Sequence, residues 1–474
     1  MTKLSSTYGK VHLLSILLLL SNICFQVADS GGIVKYLPGY EGALPFDMET
    51  GYIGVGEAEE VQLFYYFVKS ERNPEEDPLL LWLTGGPGCS SFTALAFEIG
   101  PFGFKVVEYN GSLPTLVLNP NSWSKVSSII FLDLPVGAGF SYAADELSYK
   151  SSDSIQAVQA AQFIRKWLKK NAEFRSNPLY IGGDSYAGIP LPIAVQLISH
   201  GNEMGMKPML NLKGYVLGNP KTDDRFDQNS RIPTAHGLAL ISDELYQSLE
   251  TSCGGEYKNV KPSNYECVNS LASYEKCVIG LYMENILYPM CGLASPNPMD
   301  SRRRRRRFLR DDTYQHQSLQ GFNFPNFGCP TYPHLLSYYW ADDQAVRKAL
   351  HVRKDTVKRW IRCNKRSDYR YDVSSSFDNH VYLSNKGFRS LIYSGDHDMV
   401  VPSMGTQAWI RALNYSMVEE WRSWHVKGQV AGYTRTYSNG MTFATVKGAG
   451  HIAPEYKAVE CTAMFKRWIN EEPL

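Results

Sequence analysis

The chain has almost no net charge: 48 Lys+Arg stand against 47 Asp+Glu in 474 residues, a formal +1. Without a net basic field, nucleic acid is not an expected partner. A second long apolar run is also missing. After Val11–Leu20 no segment reaches the roughly 20 uninterrupted apolar residues of a membrane span, so no membrane partner is expected once the N-terminus is removed. The low hydrophobicity and high charge of a disordered chain are absent, since 44% of residues are apolar and 20% charged. No internal repeat is visible. The length would serve about three average domains, or one large α/β domain with insertions. One feature is inconsistent with an even charge distribution: Arg302 to Arg307 is an unbroken arginine run.

The N-terminus reads as a secretory signal over residues 1–30. Lys3 and Lys10 precede the apolar stretch Val11–Leu20, and Ala28-Asp29-Ser30 puts small residues three and one before a cut. A retained anchor is the alternative, but the apolar core is short for spanning. Secretion changes how the nine cysteines read. Cys24 leaves with the signal, and the other eight suggest disulfides in an oxidising compartment. Connectivity stays open on sequence alone, although the cluster Cys253, Cys267, Cys277, Cys291 allows two successive local loops. Asn110-Gly-Ser112 and Asn414-Tyr-Ser416 are N-glycosylation acceptors. The expected location is the secretory pathway, ending outside the cell or in the vacuole.

Short continuous apolar runs read as buried strands: Leu79 to Leu83, Ser128 to Leu132, Leu179 to Ile181, Leu391 to Tyr393 and Phe443 to Val446. Each ends in a turn containing Gly or Asp. Val61 to Val68 reads as an earlier strand, with an edge position as the expectation. Ile155, Val158, Ala161, Ile164 and Leu168 recur at helical spacing and make one helix stripe. Alternating strands and helices predict an α/β class with a mainly parallel sheet, whose ligands bind at the carboxyl ends of the strands. From about 221 to 330 this rhythm breaks, and the segment reads as a cap-like insertion above the sheet. Within it, a basic linker at about 295–320 carries the arginine run. That linker reads as a solvated loop or as a cleavage and excision site; a polyanion-binding role is the weaker alternative.

The strongest chemical signal is Tyr180-Ile181-Gly182-Gly183-Asp184-Ser185-Tyr186-Ala187-Gly188. A strand enters Gly183-x-Ser185-x-Ala187 and a helix follows, close to the G-x-S-x-G nucleophile elbow. In this architecture an acid and then a histidine follow the serine. Ser394-Gly395-Asp396-His397-Asp398 supplies two candidate acids after a strand, and pattern alone does not choose between Asp396 and Asp398. Gly448-Ala449-Gly450-His451 supplies the histidine, with His397 as its rival. An oxyanion hole needs two converging N–H donors. Tyr186 gives one. The Gly-rich turn Thr84-Gly85-Gly86-Pro87-Gly88-Cys89-Ser90-Ser91 suits the second, and no G-K-[ST] follows to make it a phosphate loop. None of these residues is read as a metal ligand, and no cofactor is expected.

Taken together these motifs resemble the serine carboxypeptidase family, in particular its plant serine carboxypeptidase-like branch. Gly85–Ser91, Asp133-Leu134-Pro135-Val136-Gly137-Ala138-Gly139-Phe140-Ser141, the Ser185 elbow, Ser394–Asp398 and Gly448–His451 occur in family order along nearly the whole mature chain. The resemblance implies an α/β-hydrolase fold, Ser185, Asp398 and His451 as the catalytic residues, and Gly86 and Tyr186 as oxyanion donors. It also implies disulfides Cys89–Cys329, Cys253–Cys267 and Cys277–Cys291, leaving Cys363 and Cys461 over. Two positions depart from the peptidase pattern. Thr84 stands where the peptidases carry Asn, and Asp184 where they carry Glu; with Gly85 these form the expected substrate-binding edge. Asp184 resembles the acyltransferase members, which take an acyl group from a 1-O-acyl glucose ester. The implied partners are therefore a small acyl glucose donor and a hydroxyl acceptor, or alternatively a peptide for a carboxypeptidase. A non-catalytic secreted glycoprotein is the third reading, which the intact Ser, Asp and His oppose.

Overall fold

The computed structural model describes residues 31–292, 325–364 and 368–474. The signal-peptide reading and the basic linker at 295–320 lie outside the described residues. Eleven strands form the path of the main sheet: β1 (Gly32–Ile33), β2 (Met48–Val55), β3 (Val61–Val68), β4 (Leu79–Leu83), β5 (Ser128–Leu132), β6 (Leu179–Asp184), β7 (Leu212–Gly218), β8 (Arg389–Gly395), β9 (Met417–Val426), β10 (Gln429–Tyr437) and β11 (Met441–Val446). Their order is β1-β2-β3-β5-β4-β6-β7-β8-β11-β10-β9, with Tyr142–Ala143 pairing onto β3 off this path. The six central strands β5, β4, β6, β7, β8 and β11 are mutually parallel. Antiparallel strands flank them on both sides.

Side chains leave a strand alternately to opposite faces, and this sheet buries both. In β4, Leu80 and Trp82 join one core while Leu79, Leu81 and Leu83 join the other. Continuous apolar runs are therefore required in the centre, which is why these strands were legible. The expectation of an edge at Val61–Val68 is corrected. β3 is interior, paired with β2 on one side and β5 on the other. Its cover, β2, reads METGYIGV, too mixed in composition to stand out in the sequence.

Helix α1 (Asp153–Lys170) starts at the Ser152 cap, whose side chain accepts from the Ile155 N–H, and ends in Lys169 and Lys170, favourable for the helix dipole. Its buried face keeps only Ile164 and Leu168 of the expected stripe. Ile155 and Val158 are exposed, whereas Ala157, Ala160, Phe163, Ile164 and Trp167 are buried. Phe163 meets Tyr65 at 5.8 Å between ring centroids and Trp167 meets Phe67 at 4.8 Å, so the aromatics of β3 set the rotation of the helix. Truncating Trp167 to Ala would cost about 3–5 kcal/mol. At its first turn the same face turns inward a polar pair, Asp153 and Gln156.

Between β7 and β8 the described chain is mainly helical. It includes α2 (Asp243–Cys253) and α3 (Tyr265–Val278), over a small separate core of Ile232, Ala235, Ile241, Leu249, Tyr274, Val278 and Met399. Cys253 and Cys267 are bonded across these two helices. The other two expected disulfides are corrected. Cys89 bonds Cys363, and Cys291 bonds Cys329. Cys89 and Cys363 face each other in an antiparallel bridge, Cα–Cα 3.8 Å apart. The Ser90 N–H donates to Arg362 O at 2.7 Å and the Asn364 N–H to Gly88 O at 2.8 Å, so the backbone itself brings the two together. Cys277 cannot share the role of Cys267. Ten residues further along α3 it lies about a quarter-turn round the helix and is exposed and unpaired. Cys461 is free and buried.

Candidate active site

β6 delivers the serine. It passes through Gly183, where a Cβ would lie 2.4 Å from Leu83 O and 2.9 Å from the Ala187 methyl, so only glycine fits. The chain then turns into the short helical turn Ser185–Gly188. Ser185 takes φ +54°, a left-handed conformation that costs a non-glycine residue about 1–3 kcal/mol and persists only where its surroundings enforce it. The Lys221 N–H donates to Ser185 O at 2.9 Å and Ser376 Oγ donates to Gly188 O at 2.7 Å, clamping the turn on both sides.

The expected partners converge on this serine. Ser185 Oγ lies 2.6 Å from His451 Nε2, and His451 Nδ1 lies 2.8 Å from Asp398 Oδ2. The three side chains come from turns after β6, β11 and β8. Asp398 is buried and accepts from the Val400 N–H at 2.7 Å, the Val401 N–H at 3.2 Å and Asn219 Nδ2 at 2.8 Å. Burial opposes a charged imidazole, but the Asp398 carboxylate outweighs it and holds His451 above the usual histidine range. Asp396 does other work. Its Oδ1 accepts from the Gly448 N–H at 2.7 Å and contacts His397 Nδ1 at 2.6 Å, bracing the loop that carries His451. His397 is thereby turned to Asp396, and the choice the pattern left open falls to Asp398.

The Gly-rich loop packs directly on the elbow. A Cβ on Gly85 would lie 2.8 Å from both Ser185 Cβ and Tyr186 N, which brings Gly85 and Gly86 beside the serine. Gly86 has φ +121°. Asp133 anchors the loop from beneath, accepting from Ser90 Oγ at 2.7 Å, the Ser91 N–H at 2.8 Å and the Phe140 N–H at 2.9 Å. The two substituted positions are both engaged. Thr84 Oγ1 shares a hydrogen bond with Ser91 Oγ at 3.1 Å, and Asp184 Oδ1 accepts from the Gly85 N–H at 3.2 Å. Asp184 is buried, its Oδ2 has no partner, and burial pushes its pKa up to about 6.

Two residues escaped the sequence reading. Glu98 is buried with both carboxyl oxygens unpartnered. Burial, and then the nearby charges of Asp184 and Glu455, raise its pKa well above the usual range, which favours its protonated form. A glutamate inside the apolar run Ala94–Ile99 was the available signal. Asn219, at the end of β7, was signalled only by its place in the strand-end turn Gly218-Asn219-Pro220. Beside the loop, Pro87, Gly88, Val136, Ala138, Tyr369 and Tyr371 line a cleft. Asn110 and Asn414 are both exposed, as glycan carriers must be. Among the described residues no group of three or more His, Cys, Asp or Glu is arranged to hold a metal, and no helix is long and apolar enough to cross a membrane.

A family model described as serine carboxypeptidase matches residues 38–471. Serine carboxypeptidase-like 3 of Arabidopsis thaliana is 51% identical over 473 residues, 99% of this chain and 100% of that protein. Serine carboxypeptidase-like 17 of the same plant is 52% identical over 465 residues, 98% and 97% of the two chains. Among solved structures, that of Kex1(Δ)p, a prohormone-processing carboxypeptidase from Saccharomyces cerevisiae, matches with a TM-score of 0.70 at 20% identity, covering 90% of this chain and 92% of that one. This last likeness carries the fold alone, and it is an α/β-hydrolase fold.

Proposed function

The chain belongs to the serine carboxypeptidase family, and from that premise we propose that it is an acyltransferase moving an acyl group from a 1-O-acyl glucose ester to an acceptor hydroxyl. The observation that carries this reading is the engagement of Thr84 with Ser91 and of Asp184 with Gly85. A peptidase needs side chains at these positions free to meet a terminal carboxylate. Here one is a hydroxyl already paired, and the other is a shorter carboxylate with one oxygen, Oδ1, braced against the oxyanion loop and the other buried.

In this reading Ser185 Oγ attacks the ester carbonyl while its proton passes to His451 Nε2. Asp398 orients the imidazole and stabilises its charge. The Gly86 and Tyr186 N–H groups hold the oxyanion, each worth about 2.7–4 kcal/mol of transition-state stabilisation. The bond to glucose O1 breaks, and glucose leaves with the proton from His451. The acceptor hydroxyl then loses its proton to His451 and attacks the acyl-serine. The new ester departs and Ser185 regains its proton.

Carboxypeptidase activity is the second reading, and Glu98 favours it. A buried acid with a raised pKa and two unpartnered oxygens near Asp184 can, in its protonated form, donate to a substrate carboxylate. Purified protein offered a panel of acyl glucoses with hydroxyl acceptors, and separately blocked dipeptides, distinguishes the two by the mass of the products.

A secretory or vacuolar location is part of the proposal, supported by three disulfides and the two exposed glycan acceptors. So is excision within 295–320. Cys291–Cys329 brackets that segment, so the two pieces would stay covalently joined.

A further inference from the structure

Asp153 is fully buried at the first position of α1, yet its hydrogen-bond partners are neutral groups. Tyr186 Oη donates to Oδ1 at 2.8 Å, Tyr369 Oη donates to the same oxygen at 2.7 Å, and the Val373 N–H donates to Oδ2 at 3.0 Å. Gln156 Nε2 donates in turn to Tyr369 Oη at 2.6 Å, which fixes the phenol proton on Asp153. Burial, and then the bond to Asp153, hold both phenols well above the usual tyrosine range. Removing Asp153 would leave both phenols without their acceptor, whereas removing one phenol hydroxyl leaves the other still bonded to Oδ1, so the two arms of the cluster are separable.

The two phenols belong to different parts of the site. Tyr186 follows Ser185, and its N–H is one of the two oxyanion donors proposed above. The backbone clamps at Ser185 O and Gly188 O hold the turn at its ends, and the Tyr186 side chain is its tether in between. Tyr369 lies in the short strand Tyr369–Arg370, paired with Ser151–Ser152 immediately before Asp153. With Tyr371, whose ring stands edge-on to Tyr186 at 5.7 Å, it forms the aromatic wall of the cleft beside Pro87 and Gly88. One carboxylate therefore ties the oxyanion donor to the wall of the neighbouring cleft.

We propose that Asp153 is a positioning residue, which through Tyr186 fixes the oxyanion donor and through Tyr369 sets the cleft wall against which substrate is seated. The proposal rests on the reading of the Tyr186 N–H as an oxyanion donor and adds what holds it. It separates two kinetic consequences that a merely structural carboxylate would not separate.

The test uses the full-length protein and p-nitrophenyl butyrate as probe, with kcat, KM and Tm measured for each variant. Tyr186→Phe should lower kcat about 10-fold or more with KM within about twofold, since small misplacements of catalytic groups cost rate steeply. Tyr369→Phe should raise KM with kcat nearly unchanged. Asp153→Ala should show both effects, and adding Tyr186→Phe to it should lower kcat no further, as expected of residues acting through one contact. Asp153→Asn should recover part of the loss, because its amide oxygen still accepts from the phenols. If Asp153→Ala does not fold, the two Tyr→Phe variants carry the test alone. Wild-type kcat in Tyr186→Phe, or the same parameter moved by both Tyr→Phe variants, would overturn the proposal. Ser185→Ala, run alongside, separates the cases. If it stays active, the reading of the whole site fails; if it is dead while Tyr186→Phe is normal, only the role of Asp153 fails.

Discussion

Asn219 donates from Nδ2 to Asp398 Oδ2 at 2.8 Å, the same oxygen that His451 Nδ1 contacts at 2.8 Å. Its own Oδ1 accepts from the Gly395 N–H at 3.0 Å, and its N–H donates to Tyr393 O at 2.7 Å. Asn219 thus ties β7 to the end of β8 and fixes Asp398 in line with the imidazole. It holds an unusual φ of +40° to do so.

Asn219→Ala should therefore lower kcat about 10-fold with little change in KM, because it loosens the acid without touching substrate. It should also cost about 1–3 kcal/mol of stability through the unpaired Gly395 N–H and the lost bond to Asp398, whose Oδ2 keeps the Val401 N–H and His451. Steady-state kinetics and denaturant melts of the same preparation check both.

Asp398→Asn removes the charge that raises His451. Of the influences that remain, burial is the largest and lowers the imidazole pKa, against the smaller raising effects of Glu284 and Asp184. The base acts when neutral, so activity rises with pH through this pKa. The acid limb of the pH–kcat/KM profile should move to lower pH in the variant, while the plateau falls by up to about 10⁴-fold as the imidazole loses its orientation. Profiles of wild type and variant across the acidic and neutral range decide it. A limb that stays in place would mean that another group controls it.

Burial raises the Asp184 pKa from the ordinary aspartate range to about 6. The folded state then binds a proton that the unfolded chain has released, so this residue's contribution to stability is present below the unfolded pKa and is lost as pH rises through about 6. Asp184→Asn cannot lose it. The Tm of the variant relative to wild type should increase as pH rises from about 4 to about 6 and level off above. Paired thermal melts across that range are the measurement.

The disulfide pattern predicts a thiol count. Among the described cysteines, Cys277 is exposed and free, and Cys461 is free but buried. Of these two, a maleimide should label only Cys277 in the native protein and Cys461 in addition after unfolding without reductant. Peptide mapping should find Cys89 joined to Cys363 and Cys291 joined to Cys329. After cleavage within 295–320 the pieces should separate on a gel only when reduced.

The parts of the site that were legible in the sequence share one property. Ser185, Asp398 and His451 each follow a continuous apolar strand through a tight turn, so local composition marks them. The fold's central strands were legible for the same reason. What was lost depended on contacts distant in sequence. The face of α1 is chosen by aromatics of β3, about 100 residues earlier, so Ile155 and Val158 point outward despite their spacing. The pairing of Cys89 with Cys363 follows from a backbone bridge 274 residues long in sequence. Glu98 and Asn219 each had only a weak local signal, a charge inside an apolar run and a strand-end turn, because the burial of the one and the partners of the other on a neighbouring strand and loop are set by distant chain.

The central claim is tested most directly by giving purified wild-type protein and Ser185→Ala the same mixture of a 1-O-acyl glucose, a hydroxyl acceptor and a blocked dipeptide, and following all products by mass. The proposed function predicts free glucose and the acyl ester of the acceptor from wild type, little or no free amino acid, and no ester from Ser185→Ala. Free amino acid without any acyl ester, or equal turnover by Ser185→Ala, would contradict it.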